Sequence, residues 1–154
     1  MKLYHGSIIE NEKSILKSGL SPQKGNFVQD MYNDNCPELV FFCDEDHLSK
    51  AFSSICYAIY RKLNLKSVYR VTADQVREHG VLFVVENDNF SFRASSESRE
   101  AHYPSVERND YYTDKNVNII IQVIKGKKLM QLAAKHAPIL FEKKAESKGG
   151  FGGL

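Results

Sequence analysis

The sequence predicts a single domain of the α+β class, and three observations support this prediction. A length of 154 residues suits one domain. The segments with strand character are separated by irregular loops, and one long segment has convincing helical periodicity, which favours α+β over a doubly wound parallel sheet. The hydrophobic fraction of 42% and the charged fraction of 26% are ordinary for a soluble globular protein.

The N-terminal part is predicted to contain a short strand and a helix. The strand is "KLYHG" (residues 2–6) and the helix is "NEKSILKSGL" (residues 11–20). We expect Ile15 and Leu16 to lie on the buried face of this helix, and Gly19 to end it, because glycine suits the C′ position. Residues 21–37 are polar and are expected to form a loop.

Two well-defined elements follow that loop. "LVFFC" (residues 39–43) is predicted to be a buried strand because it is wholly apolar. "DEDHLSKAFSSICYAIYRKL" (residues 44–63) is predicted to be the longest helix, with Asp44 as its cap and acids in its first turn. Its apolar side chains recur at helical spacing, at Leu48, Phe52, Ile55 and Ile59.

The second half of the chain is predicted to be richer in strands. Residues 95–116 are expected to form a long polar surface loop, which is uncommon in a compact domain and often functional. "KLMQLAAKHAPILFEKKA" (residues 128–145) is predicted to be a helix interrupted at Pro138. Four segments are predicted strands: "KSVYRVTA" (66–73), "GVLFVVE" (80–86), "FSFRA" (90–94) and "VNIIIQVIKG" (117–126).

We expect the domain to span residues 1–146 and to be followed by a flexible tail. Residues 147–154 contain four glycines, a density at which the cost of ordering the chain is not offset by burial. From Lys125 onward the chain carries seven lysines and two acids. This bias is typical of a solvated helix and tail, and the alternative is a basic surface that docks an acidic partner or nucleic acid.

Charge and cysteine content exclude several classes of protein. A net charge of +2 is too small to indicate a nucleic-acid or membrane partner by itself. Three cysteines without CxxC spacing argue against a disulfide framework and a zinc site, so no metal is expected. No secretory signal pattern is visible, and no apolar run approaches the roughly 20 residues that span a bilayer. We therefore expect a cytoplasmic protein without a membrane partner.

The order of three motifs carries the functional interpretation. His5-Gly6-Ser7 ends the first predicted strand, the first helix ends in "SGLSP", and "LVFFCD" precedes a helix with small residues at Ser49 and Ala51. This order resembles the ADP-ribosyltransferase superfamily of the small bacterial or phage type, in which a His-Gly-Ser/Thr strand is followed by Gly-Leu-x-Pro and an aromatic strand. The resemblance is specific over residues 3–22 and 39–52, and beyond residue 60 it is limited to strand order.

The resemblance implies a split mixed or antiparallel β-sheet core with flanking helices, and NAD⁺ as co-substrate. Transfer from NAD⁺ passes through a transition state that resembles an oxocarbenium ion, so the site must hold the nicotinamide, position the ribose and place a carboxylate nearby. By resemblance, the Gly6 main chain pairs with the nicotinamide carboxamide and His5 bonds a ribose hydroxyl. Ser7 supports the same pocket. Taken singly, His5 is more often a hydrogen-bonded structural histidine than a ligand, and Gly6 is also explained as a turn residue.

Further contacts to NAD⁺ follow from the same resemblance. Phe41 falls where the family commonly has the tyrosine that stacks on nicotinamide, and Tyr32 is expected to add a second ring. Ser49 lies at the start of the long helix and is included among the NAD⁺ contacts. Arg93 is expected to clamp the pyrophosphate, because the planar guanidinium suits phosphate oxygens.

The carboxylate is a choice among four residues. Asp88 is the first choice, with Glu86 next, because "VVENDN" lies where a branch similar to the rifamycin ADP-ribosyltransferases has its acidic turn. Glu107 and Asp110 are the candidates under the layout in which the acid precedes a strand near the C-terminal end. "ENDN" is also explained as an ordinary turn rich in Asn and Asp.

The sequence therefore predicts a mono-ADP-ribosyltransferase acting on a protein, nucleic acid or small molecule. Its size fits a phage or bacterial effector, and antibiotic modification is equally compatible. The alternative is a catalytically silent member that binds NAD⁺, ADP-ribose or a protein partner, since Phe41 lacks the tyrosine hydroxyl. An RNA 2′-phosphotransferase is disfavoured because the first forty residues contain no arginine. An unrelated α+β binding protein is the remaining class.

Overall fold

The computed structural model describes residues 1–22, 39–86, 91–93 and 110–142, with the main chain alone at 91–93 and 110. These residues form four α-helices: Glu12–Ser18 (α1), Leu48–Lys62 (α2), Ala73–His79 (α3) and Gly126–His136 (α4). They also form six strands: Lys2–Ile8 (β1), Val40–Phe42 (β2), Gly80–Glu86 (β3), Ser91–Arg93 (β4), Asp110–Thr113 (β5) and Gln122–Ile124 (β6). The fold is α+β, as the sequence predicts.

The strands form two antiparallel sheets, ordered β1-β3-β6 and β2-β5-β4. An isolated antiparallel bridge between Tyr4 and Cys43 joins β1 to the end of β2. The Tyr4 N–H donates to the Cys43 carbonyl at 2.8 Å, and the Cys43 N–H donates to the Tyr4 carbonyl at 3.0 Å. Across this bridge the strands follow one another in the order 4-5-2-1-3-6, in a sheet that is split beside the bridge.

Apolar side chains cover both faces of the sheet that contains β1 and β3. Residues 81–85 of β3 are each at most 1% exposed, which explains why "GVLFVVE" is apolar without alternation. On one face, Tyr4, Leu82 and Val84 pack with α2, α3 and α4. On the other face, a smaller core contains Leu3, Leu20, Val40, Phe42, Val85 and Val117. Successive residues of a strand point to opposite faces, so β1 contributes to both cores.

The helix α2 is the element that covers β1. Its buried residues are Leu48, Ala51, Phe52, Ile55 and Ile59, at the spacing of one helical face. It begins four residues later than the sequence predicts, after a 3₁₀ turn at Glu45–His47. The expected capping role of Asp44 is wrong, because its side chain caps neither element and its Oδ1 lies 2.6 Å from His47 Nδ1 instead.

Residues 66–73 form a 3₁₀ turn and the start of α3, so the predicted strand there is wrong. The Ser67 hydroxyl accepts a hydrogen bond from the Tyr69 N–H at 3.1 Å. Thr72 and Gln75 then form a reciprocal capping box at the start of α3. These local bonds satisfy the main chain within the segment and override its strand-like alternation.

Three further boundaries differ from the sequence predictions. Leu16 is 51% exposed, so α1 buries Ile15 in part but not Leu16. The predicted long loop contains β5, and the predicted strand at 117–126 is reduced to β6 and a bridge between Leu20 and Val117. α4 ends before Pro138 as predicted, and a 3₁₀ turn follows at Pro138–Glu142. The predicted tail at 147–154 lies outside the described residues, and so does the predicted boundary at residue 146.

None of the described helices is both long enough and apolar enough to cross a membrane.

Candidate functional site

His5-Gly6-Ser7 lies within β1, which continues to Ile8. On one side these residues pair with β3, where His5 is opposite Phe83 and Gly6 is opposite Leu82. The other side of β1 faces β2 and has no strand pairing beyond the Tyr4–Cys43 bridge among the described residues. The motif therefore lies at the split between the two sheets.

The main-chain groups of Gly6 point into this split. In an antiparallel ladder, hydrogen-bonded pairs alternate along a strand, so residues two apart direct their N–H and C=O to the same side. Tyr4 directs both groups to Cys43, and Gly6 therefore directs its own groups to the same side, away from β3. No hydrogen bond from a described residue reaches either group. Gly6 thus presents a main-chain donor and a main-chain acceptor side by side.

His5 is held at the same split by a hydrogen bond to β2. Its Nδ1 lies 2.8 Å from the Phe41 carbonyl oxygen, and its ring centroid lies 5.7 Å from that of Phe42. Because a carbonyl only accepts, Nδ1 carries the proton, and the neutral imidazole keeps Nε2 as an acceptor. Burial lowers the pKa of His5, and the hydrogen bond to Phe41 opposes this shift in part. His5 is therefore neutral near pH 7.

The close packing of α2 explains why residue 6 is glycine. A Cβ atom at Gly6 would collide with the Ala51 carbonyl oxygen and would lie 2.8 Å from Ile55 Cγ1. The sequence interpretation assigned the glycine to close approach by a ligand and did not detect this helix contact. One residue thus serves two surfaces, since its Cα faces α2 and its main-chain polar groups face the split.

Ser7 is positioned by the turn that follows β1. It is 8% exposed, and its hydroxyl accepts a hydrogen bond from Asn11 Nδ2 at 3.1 Å. This contact anchors the 3₁₀ turn at Ile9–Asn11 to β1. Ser7 lies two residues from His5 and therefore on the same face of the strand.

Phe41 and Tyr112 form an aromatic pair across β2 and β5. They are directly opposite in register, and their ring centroids lie 6.3 Å apart at 45°. Val40 and Phe42 are buried in the smaller core. The half-buried Phe41 therefore points to the opposite face of the sheet, which is the face on which α2 packs against Gly6. Sequence reasoning missed Tyr112, although the two tyrosines and the threonine of "DYYT" are residue types that favour strands.

The described acids lie at different distances from His5. Glu86 ends β3 opposite Lys2, three register positions from Phe83, so it lies roughly 10 Å along the strand from the level of His5. Its carboxylate is 58% exposed and 4.0 Å from the N-terminal amine. Asp110 is the first residue of β5, immediately before Tyr111, which pairs with Phe42. Its main chain is therefore level with Cys43 and the bridge to Tyr4.

Sequence reasoning treated Asp44 only as a helix cap, and the structure places it beside the same bridge. It directly follows Cys43, and its carboxylate Oδ1 lies 2.6 Å from His47 Nδ1. Burial, and next the charge of Asp44, raise the pKa of Tyr111. A carboxylate and an imidazole thus lie together at the end of β2.

The remaining predicted residues are not brought to the split by the described structure. Ser49 is exposed in the first turn of α2. Arg93 lies in β4, at the far edge of the second sheet, where its main chain pairs with that of Asp110 in β5. Tyr32, Asp88 and Glu107 lie outside the described residues. Across the described ranges there is no group of three or more His, Cys, Asp or Glu side chains that could hold a metal ion.

No family model, curated protein or solved structure matches the chain.

Proposed function

We propose that this protein is a mono-ADP-ribosyltransferase that transfers ADP-ribose from NAD⁺ to an acceptor in the cytoplasm. The observation that carries the proposal is the main chain of Gly6 at the sheet split, to which no described residue donates or accepts a hydrogen bond. A primary carboxamide such as that of nicotinamide donates through its NH₂ and accepts through its C=O. It can therefore bond the C=O and N–H of Gly6 in the manner of a neighbouring strand.

His5 is suited to the ribose beside that carboxamide. Since Nδ1 donates to the Phe41 carbonyl, Nε2 is left to accept a hydrogen bond from a ribose hydroxyl. The lowered pKa keeps this acceptor available at neutral pH. A neutral imidazole also avoids placing a positive charge beside the cation that develops on the ribose.

Phe41 and Tyr112 supply the apolar wall of the proposed pocket. A nicotinamide ring bound at Gly6 lies next to Phe41, and Tyr112 extends the aromatic surface with a phenol hydroxyl. Tyr112 thus offers, from the adjacent strand, a hydroxyl that residue 41 lacks.

The transfer itself requires a carboxylate near the ribose. The bond between the nicotinamide nitrogen and the ribose carbon breaks, its electron pair leaves with nicotinamide, and the acceptor nucleophile attacks the resulting cation. Asp110 is favoured among the described candidates, because its main chain is level with the Tyr4–Cys43 bridge. Glu86 is disfavoured by its exposure and its distance along β3. Asp88 and Glu107 remain candidates on sequence grounds.

The split antiparallel core supports an ADP-ribosyltransferase-like fold. The resemblance over residues 3–22 and 39–52 implies a split sheet core with flanking helices. Two three-stranded antiparallel sheets joined by one bridge, with helices packed on one face, are consistent with that arrangement. The His-Gly-Ser motif lies on the strand beside the split, which is where an NAD⁺ site between the sheets would need it.

The proposal is tested by incubating the protein with NAD⁺ labelled in its adenylate part and a cell lysate. We expect label on an acceptor and release of nicotinamide, both lost in His5→Gln and retained in Tyr69→Ala. Tyr69 is a suitable control because it is 79% exposed on the 3₁₀ turn at Val68–Arg70. Binding of NAD⁺ without transfer or hydrolysis would favour the catalytically silent alternative, for which Phe41 is the supporting observation. No binding at millimolar NAD⁺ would overturn both functions.

A further inference from the structure

We propose that the His5 side chain holds β1 and β2 apart and so keeps the main-chain groups of Gly6 available to a ligand. The identity of that ligand rests on the proposed function, whereas the positioning role concerns the protein alone. His5 would then act in two directions, with Nδ1 towards the sheet and Nε2 towards the ligand.

The register shows which bond the histidine replaces. Tyr4 and Cys43 exchange two hydrogen bonds, and such doubly bonded pairs recur every two residues in an antiparallel ladder. The next pair along β1 and β2 is therefore Gly6 and Phe41. In a continuous sheet the Gly6 N–H would donate to the Phe41 carbonyl.

The Phe41 carbonyl is bonded by His5 instead. Its oxygen lies 2.8 Å from His5 Nδ1, so the acceptor that would close the ladder is taken by a side chain from the preceding residue. An imidazole ring occupies more space than a direct main-chain bond, and the strands cannot close to the usual spacing of about 4.8 Å while it stays. The tilted contact with Phe42 holds the ring in this position.

β1 is held in place by its packing, so we expect His5 to determine the position of β2 relative to β1. β1 is paired along its whole length with β3 and lies against α2 so closely that Gly6 tolerates no Cβ atom. β2 has three residues, and among the described residues its main chain is hydrogen-bonded to the main chain of β1 at the Tyr4–Cys43 pair alone. Replacing His5 with a side chain that does not bond the Phe41 carbonyl is therefore expected to let β2 pair with β1 at one more position, Gly6 with Phe41.

Amide hydrogen exchange of the ligand-free protein, measured residue by residue, tests this role without any assay of transfer. In the wild type the Gly6 amide should exchange much faster than the Tyr4 amide, whose N–H is bonded to Cys43. Two variants separate the nitrogens of His5. His5→Asn keeps a donor at the place of Nδ1, and His5→Gln keeps a polar group only at the place of Nε2.

We expect His5→Gln and His5→Ala to slow exchange of the Gly6 amide by about 100-fold, because a new ladder bond forms. His5→Asn should leave it within about threefold of the wild type. Equal exchange of the Gly6 amide in the wild type and all variants would overturn the proposal. A Gly6 amide that is as protected as the Tyr4 amide in the wild type would also overturn it, and that measurement requires no variant. If Gly6 exchanges as expected but NAD⁺ does not bind, the proposed function fails and the positioning role stands.

Discussion

The ring of Phe41 on β2, the strand that borders the sheet split, lies directly across from the ring of Tyr112 on β5, with 6.3 Å between their centroids. The pair joins a residue named by the sequence to one that only the fold places beside it. In the proposed pocket these rings cover the nicotinamide, while Gly6 bonds its carboxamide and His5 bonds a hydroxyl of the adjoining ribose. The pair therefore makes the aromatic half of the site testable apart from the polar half.

Tyr112→Ala should weaken NAD⁺ binding by about three- to tenfold, the contribution usual for one aromatic contact. Tyr112→Phe should match the wild type in binding if only the ring matters, and should lose transfer if the hydroxyl takes part. Calorimetric titration with NAD⁺ measures the first effect and labelled transfer the second. Tyr69→Ala is the control, and an equal loss of binding in that variant would show that the effect is not local.

Gly6→Ala should lower the free energy of unfolding by about 1–3 kcal/mol, because the added Cβ overlaps the Ala51 carbonyl and Ile55 of α2. Urea denaturation measures the change. Ser49→Ala, an exposed substitution on the same helix, should stay within about 0.5 kcal/mol of the wild type. A Gly6→Ala variant as stable as the wild type would contradict the close contact between β1 and α2.

Acidification should destabilise the protein through His5. Its pKa is lowered from the usual 6.5 by burial, so below pH 6.5 the unfolded chain takes up a proton that the folded protein does not. Well above pH 6.5, His5 is neutral in both the folded and the unfolded protein. The loss of stability continues as the pH falls towards the lower pKa of His5 in the folded protein. Because a single proton is involved, the loss is at most about 1.4 kcal/mol for each pH unit. Urea denaturation at pH 7.5 and 5.5 should show this loss in the wild type and a smaller one in His5→Asn.

If Asp110 is the carboxylate that the proposed transfer requires, Asp110→Asn should reduce the rate of transfer by about 100-fold or more, because a neutral amide does not stabilise the developing ribosyl cation. Glu86→Gln, an exposed substitution at the end of β3, should stay within about twofold of the wild type. Single-turnover assays with labelled NAD⁺ measure both rates. Retention of activity in Asp110→Asn with its loss in Asp88→Asn or Glu107→Gln would move the carboxylate to that residue.

The elements that sequence alone could predict are those with long and unambiguous patterns. "GVLFVVE", "LVFFC" and the apolar stripe from Leu48 to Ile59 specify buried strands and a one-sided helix, and the structure confirms each of them. Residues 66–73 misled the prediction because Ser67 and Thr72 bond nearby main chain, and such local bonds leave no mark on an alternating pattern.

The geometry of the candidate site depends on contacts that no local pattern records. The hydrogen bond from His5 to Phe41 joins residues 36 positions apart. The demand for glycine at position 6 comes from Ala51 and Ile55 on α2. The direction of its main-chain groups, which bond no other residue in the described part of the chain, comes from the register of β1 with β2. The motif could thus be named from sequence, while its exposure at a sheet split could not.

The most direct test of the proposed site is the response of the Gly6 amide to NAD⁺ in a ¹H–¹⁵N NMR titration. If the nicotinamide carboxamide bonds the Gly6 main chain, the Gly6 amide should shift in proportion to NAD⁺ bound and become protected from exchange. The Tyr4 amide, already bonded to Cys43, should change little. A Gly6 amide that keeps its shift and its fast exchange at saturating NAD⁺ would contradict the account.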